Sequence, residues 1–246
     1  PDSSAKKIVF ADNKVEWCAP LLGVKNLRMF SPFLIDLDRV FQIGGDLQKS
    51  LTDVVNACPM HLHASYFESH LSLEKMSDHL SKFICFHDQD MQTYGLRIAD
   101  CRILSVLPQV LTMQQWTYLT SPIAVWKIHT RKGELTPLPV KTAESTIEDE
   151  YAFTLNADQV DALVHASEAD ALLAHLGLDL NIVGNESHQY WVLSQTCLQT
   201  WEKSGSTNRD VLNAFAKRIF DSKGKALQEK PWQTFLAKAT LNDFGG

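Results

Sequence analysis

At 246 residues the chain has room for one large domain or two small ones. Its 45% hydrophobic and 21% charged residues are ordinary for a soluble globular protein, and no apolar run approaches the roughly 20 residues that span a bilayer. The net charge of −6 is unevenly spread: residues 1–199 carry 15 basic and 24 acidic side chains, and residues 200–246 carry 8 and 5, so the acidic excess argues against nucleic acid as the main partner. The five cysteines, Cys18, Cys58, Cys85, Cys101 and Cys197, are odd in number and widely spaced. They read as reduced thiols, and with no secretory signal visible a cytoplasmic location is expected.

In chain order, residues 1–7 are polar and residues 8–10 are a short apolar run suited to a strand. Residues 19–27 contain Pro20 and Gly23 and read as a loop or broken helix. Residues 29–37 read as a strand, with Pro32 near its start. Gly44-Gly45 make a turn, and Leu47, Leu51, Val54 and Val55 have helical spacing up to Pro59. Residues 61–67 read as a strand that places His61 and His63 on one face. Residues 72–80 read as a helix capped by Ser72. A strand at 83–86 and a polar turn at 87–90 follow.

The stretch 94–126 changes period partway. Tyr94, Leu96 and Ile98 alternate as in a half-buried strand, and from Asp100 the apolar residues Ile103, Leu104, Leu107, Val110 and Leu111 take helical spacing. Asp100 stands where a helix needs an N-cap, flanked by Arg97 and Arg102. A second short helix fits residues 112–119, with Thr112 as its cap. Ser121-Pro122 ends it, and residues 123–128 read as another strand.

The pattern Arg97-x-x-Asp100-x-Arg102-x-Leu104, then Leu107-Pro108, a helix with Gln and aromatic residues, and Pro122-Ile123 with Trp126 resembles the type VI secretion effector chaperones, or adaptor proteins. In that family the segment usually reads close to Arg-Phe-Tyr-Asp-Pro-Arg-Val-Leu, with a later Gly-Pro-Ile. Here Cys101 replaces the Pro and Ser121 the Gly. Ser31-Pro32-Phe33-Leu34-Ile35-Asp36-Leu37 is similar to the family's Pro-Tyr-Leu segment, and residues 73–83 to its helix before the central strands. The resemblance spans residues 19–128 well. It implies a non-enzymatic adaptor whose partners are a secreted effector and the spike (VgrG-type) protein that carries it.

Residues 131–150 shift in composition, with a turn at Lys132-Gly133, prolines at 137 and 139 and an acidic run, and are expected to be a linker. Beyond it, Val160, Leu163, Val164, Ala171, Leu172 and Leu176 mark an amphipathic helix that Gly177 ends. Further helices are expected over 190–201 and 209–220, and from Pro231-Trp232 onward. The expected fold is α+β (or α/β): an N-terminal lobe, 1–130, with a mixed β-sheet flanked by helices, and a smaller all-helical lobe, 151–246. Effector contacts are expected to span both lobes.

Arg97, Asp100 and Arg102 are the leading candidate site, open to two readings: recognition of a carboxylate group, or a cap with salt bridges that fixes the strand–helix joint. Trp116, Trp126 and Trp191 are candidate partner-contact aromatics, since interfaces favour tryptophan. Catalytic signatures are missing from the sequence: there is no GxSxG, HExxH, GxGxxG or GxxxxGK[ST]. No cofactor and no metal is expected. Two rival readings stay open: a metal-dependent hydrolase using the His61 and His63 face, and an immunity-type toxin inhibitor.

Overall fold

The computed structural model describes residues 16–22, 31–57, 61–140, 153–178 and 183–244, without the side chains of 54–57 and 61. The strand read at 8–10, and Cys58 with Pro59, lie outside the described residues. The chain divides into two units. The first comprises Pro1–His129 and Leu135–Val160, the second Thr130–Glu134 and Asp161–Gly246.

The first unit mixes short strands and short helices. Strand β1 (Cys18–Pro20) pairs antiparallel with β2 (Phe33–Ile35). The strand read over 29–37 gives way to a helix at Leu37, because Asp36 accepts the Arg39 backbone N–H at 2.9 Å and so starts helix α1 (Leu37–Ile43). Gly44, at φ +64°, ends α1, and α2 (Gly45–Ala57) follows at once. Residues His61–His63 form a 3-10 turn, so the strand read there starts later, as β3 (Ser65–Ser69). Helix α3 (Leu73–Ser81) has the Ser72 cap, buries Met76 and Leu80, and is tied to β1 by a Ser77 hydroxyl that donates to the Pro20 carbonyl.

Strands β4 (Cys85–His87) and β5 (Thr93–Gly95) form a hairpin. Its turn is held by Asp88, whose Oδ1 accepts backbone N–H groups from Asp90 and Gln92 while Met91 takes φ +59°. Three short helices come next: α4 (Cys101–Leu104), α5 (Leu107–Val110) and α6 (Met113–Thr120). Thr112 and Gln115 form the capping box of α6. Strand β6 (Ile123–His129) is the centre of an antiparallel sheet, order β3-β6-β7, completed by β7 (Leu135–Pro137).

The fold class is α+β, as expected. In place of one mixed sheet, the described residues form three small antiparallel sheets. The chain also returns at 153–155 to lie parallel beside β4: His87 donates to the Phe153 carbonyl at 3.1 Å, and Leu155 donates back to His87 at 2.9 Å. The core under these sheets holds Phe83, Leu104, Leu107, Leu119 and Ile123, all without exposed surface. Each such side chain contributes about 1.5–3 kcal/mol by leaving water.

The second unit is helical. Its helices are the part of α7 (Ala157–His175) beyond Val160, α8 (Asn185–Lys203), α9 (Arg209–Asp221) and α10 (Trp232–Leu236). Asn208 caps α9 through Oδ1. One continuous apolar core joins the four, including Leu172, Cys197, Val211, Phe215, Ile219 and Trp232. Ser194, fully buried in α8, donates to the Ala169 carbonyl of α7 at 2.8 Å, which fixes that helix pair. The stretch read as a linker begins with the 130–134 turn, where Gly133 takes φ +89°, and with β7; residues 141–150 lie outside the described residues.

Candidate functional site

The strand–helix joint places Asp100 at the N-cap of α4, with φ −88° and ψ 110°. Its carboxylate is 3% exposed and fully subscribed. Oδ1 accepts the Arg102 backbone N–H at 3.0 Å and Arg102 Nε at 2.8 Å. Oδ2 accepts Arg102 Nη2 at 2.7 Å and also Arg97 Nη2. Burial alone would raise the Asp100 carboxyl, but the hydrogen bond and charge of Arg102, with the charge of Arg97, hold it below the usual carboxylate range.

The trio is unequal. The Arg102 side chain is 8% exposed and the Asp100 side chain 3%, so both belong to the interior. The Arg97 side chain is 58% exposed, and Asp100 is the fixed point it leans on. Arg102 and Asp100 therefore orient the joint, while Arg97 presents a guanidinium to solvent with its direction set by a buried carboxylate. That geometry suits a bidentate carboxylate or phosphate on a partner.

The other residues singled out in the sequence are spread through the fold. His63 lies in the 3-10 turn with its Nε2 3.4 Å from Arg102 Nη2, so its described neighbour is a cation. The Cys101 thiol is buried, donates to the Ala64 carbonyl, and is pushed up by that burial, the opposite of an activated nucleophile. Trp116 and Trp126 are 4% and 2% exposed and stack on each other at 6.3 Å. Their indole N–H groups donate to the Pro139 carbonyl and the Ser65 hydroxyl. Neither ring offers a face to solvent. Trp191, in the second unit, is partly buried beneath Arg131, whose guanidinium carbon lies 4.7 Å from the ring centre.

One residue near the site escaped notice in the sequence. Gln159 donates to both the Val110 carbonyl and Gln115 Oε1, and its own Oε1 accepts the Asn156 N–H. The readable local signal was Asn156-x-x-Gln159, a reciprocal cap; its link to Gln115 is tertiary. The second unit also carries an open groove of about 680 Å³ between the ends of α7 and α9, lined in part by Leu176, Tyr190, Lys217 and Phe220.

Among the described residues no helix is long and apolar enough to cross a membrane. No curated protein and no solved structure matches the chain. Residues 23–118, less than half of the chain but including Arg97, Asp100 and Arg102, match the model of a family described as a domain of unknown function, DUF4123.

Proposed function

We propose that this chain is a non-enzymatic cytoplasmic chaperone-adaptor that binds a type VI secretion effector and helps load it onto the spike (VgrG-type) protein. The matched family is associated with type VI secretion. The match falls on the segment where the motif pattern had pointed to the same class. The observation that carries the reading at the level of residues is the division of labour in the charged trio. Asp100 and Arg102 are consumed internally, whereas Arg97 is held outward. In this reading Arg97 meets an acidic group on the partner, and favouring one conformer of the effector stabilises it by mass action.

The test is affinity capture of the tagged full chain from its own cells, shown to be expressing the secretion apparatus, followed by mass spectrometry. An effector or spike protein at near-stoichiometric yield supports the reading. A clean chain with no such partner overturns it. Arg97→Glu should then cut the yield at least about tenfold, since it places like charge against an acidic partner.

A further inference from the structure

We propose that His165, Glu168 and Glu202 form a binding site for one divalent transition-metal ion of the zinc class. His165 and Glu168 stand three residues apart on α7, so they share a helix face, and Glu202 meets them from α8. His165 Nδ1 lies 3.3 Å from Glu168 Oε2 and 3.7 Å from Glu202 Oε1, and the three ligand atoms all fall within 4.8 Å of one another. A tetrahedral zinc ion with ligands at about 2.0–2.1 Å requires donors about 3.3 Å apart. Two of the separations are thus close to that spacing before any side chain moves.

The scaffold under the site is rigid. The α7–α8 pair is locked by the buried Ser194–Ala169 hydrogen bond and by Leu172, Cys197 and Leu198 in the core beneath. The Glu168 side chain is only 18% exposed, and its other oxygen, Oε1, accepts a hydrogen bond from Arg209, which also lies over the Trp201 ring at 4.9 Å. That bond turns Oε2 toward His165, the kind of support that orients a ligating carboxylate. Among the described residues no lysine or arginine forms an ion pair with Glu202, whose carboxylate lies against the His165 imidazole. Two carboxylates against one arginine leave negative charge at the point where the three donors converge. The imidazole–carboxylate donor set suits zinc and its neighbours. The His165 side chain is 67% exposed, so water completes the coordination.

The competing account is that a protonated His165 is itself the cation in a surface ion-pair network, and the two accounts separate cleanly. Full-length protein stripped with chelator is titrated with zinc chloride by calorimetry and with cobalt(II) by absorption spectroscopy. The expected result is one saturable equivalent, a cobalt spectrum with ligand-field bands and no thiolate charge-transfer band, and a thermal midpoint that rises with zinc. His165→Ala and Glu202→Gln should each weaken binding at least about tenfold. His165→Lys keeps a positive charge for the ion pairs, and it too should lose the metal. The proposal is overturned if no saturable equivalent appears, if the cobalt spectrum shows thiolate ligation, or if His165→Ala and Glu202→Gln, still folded by circular dichroism, bind zinc as the parent does.

Discussion

The two units reach stability by different routes. The second is built on α7, α8 and α9, helices of 13 to 19 residues that share one apolar core with the five-residue α10, and Phe215 in that core has no exposed surface. The first has helices of only 4 to 8 residues around its candidate site, too short to hold themselves. It compensates with polar groups at helix ends: Asp100 on α4, Thr112 with Gln115 on α6, and Gln159 bridging α5, α6 and the start of α7. A unit made of short elements fixed by caps can present an irregular surface for recognition. A unit of long packed helices is a more suitable frame.

The contrast can be tested by acid. Phe215→Ala should cost about 3–5 kcal/mol in chemical denaturation, by loss of burial plus a cavity, with little dependence on pH. Asp100→Ala should cost a similar 3–5 kcal/mol near neutrality, because it removes the buried carboxylate that accepts three hydrogen bonds from Arg102. That penalty should shrink with acid. The folded Asp100 carboxyl lies below its unfolded value of about 3.9, so the unfolded state binds the proton first. Its contribution is present above that value and is lost as pH falls through the folded one. Equal pH dependence in the two variants would erase the distinction between the units.

Gln159→Ala should cost about 1–3 kcal/mol, since it removes the donor to Val110 and Gln115 from a buried position. Hydrogen exchange should then rise at the starts of both α6 and α7; a rise at one alone would mean the bridge does not couple them. Thr112→Ala should cost about 1 kcal/mol, the usual value of an N-cap, read by the same denaturation experiment. Arg97→Ala should change stability least, by less than about 1 kcal/mol, because its side chain is mostly exposed. If partner capture falls in that variant while stability holds, Arg97 is a contact; if the two fall together, it is a brace.

Much of the local structure was legible because its signals are local. Asp100, Ser72 and Thr112 each cap the helix that their position in the sequence announced, and the helical patterns after Val160 and Arg209 give α7 and α9. The errors arose where a local pattern was ambiguous. Phe33-Leu34-Ile35-Asp36-Leu37 has strand composition throughout, but the Asp36 side chain claims the Arg39 N–H and turns the chain helical. His61 and His63 alternate like strand residues, yet occupy a 3-10 turn. The unequal exposure of Arg97 and Arg102 was not readable, because it depends on which side of Asp100 the fold covers. The approach of Glu202 to His165 and Glu168 was equally hidden: the i,i+3 pair is visible along one helix, but the third residue arrives through helix packing.

The return of the chain at residues 153–160 has a consequence for where this unit can be cut. Phe153 packs edge-on against Phe83 at 5.1 Å, Leu155 is 1% exposed, and the backbone of His87 is bonded on both sides of Thr154. These residues come after the segment that the family model recognises, and β6, the middle strand of the three-stranded sheet, does too. The edge of a recognisable segment is therefore not the edge of the cooperative unit. A shortened chain ending at Val140 would keep every residue that the family model matches and still uncover the aromatic floor under α3 and β4. Loss of partner binding on such a truncation would report a broken fold as readily as a missing contact, which is why contacts in this molecule are better mapped by single side chains than by deletion.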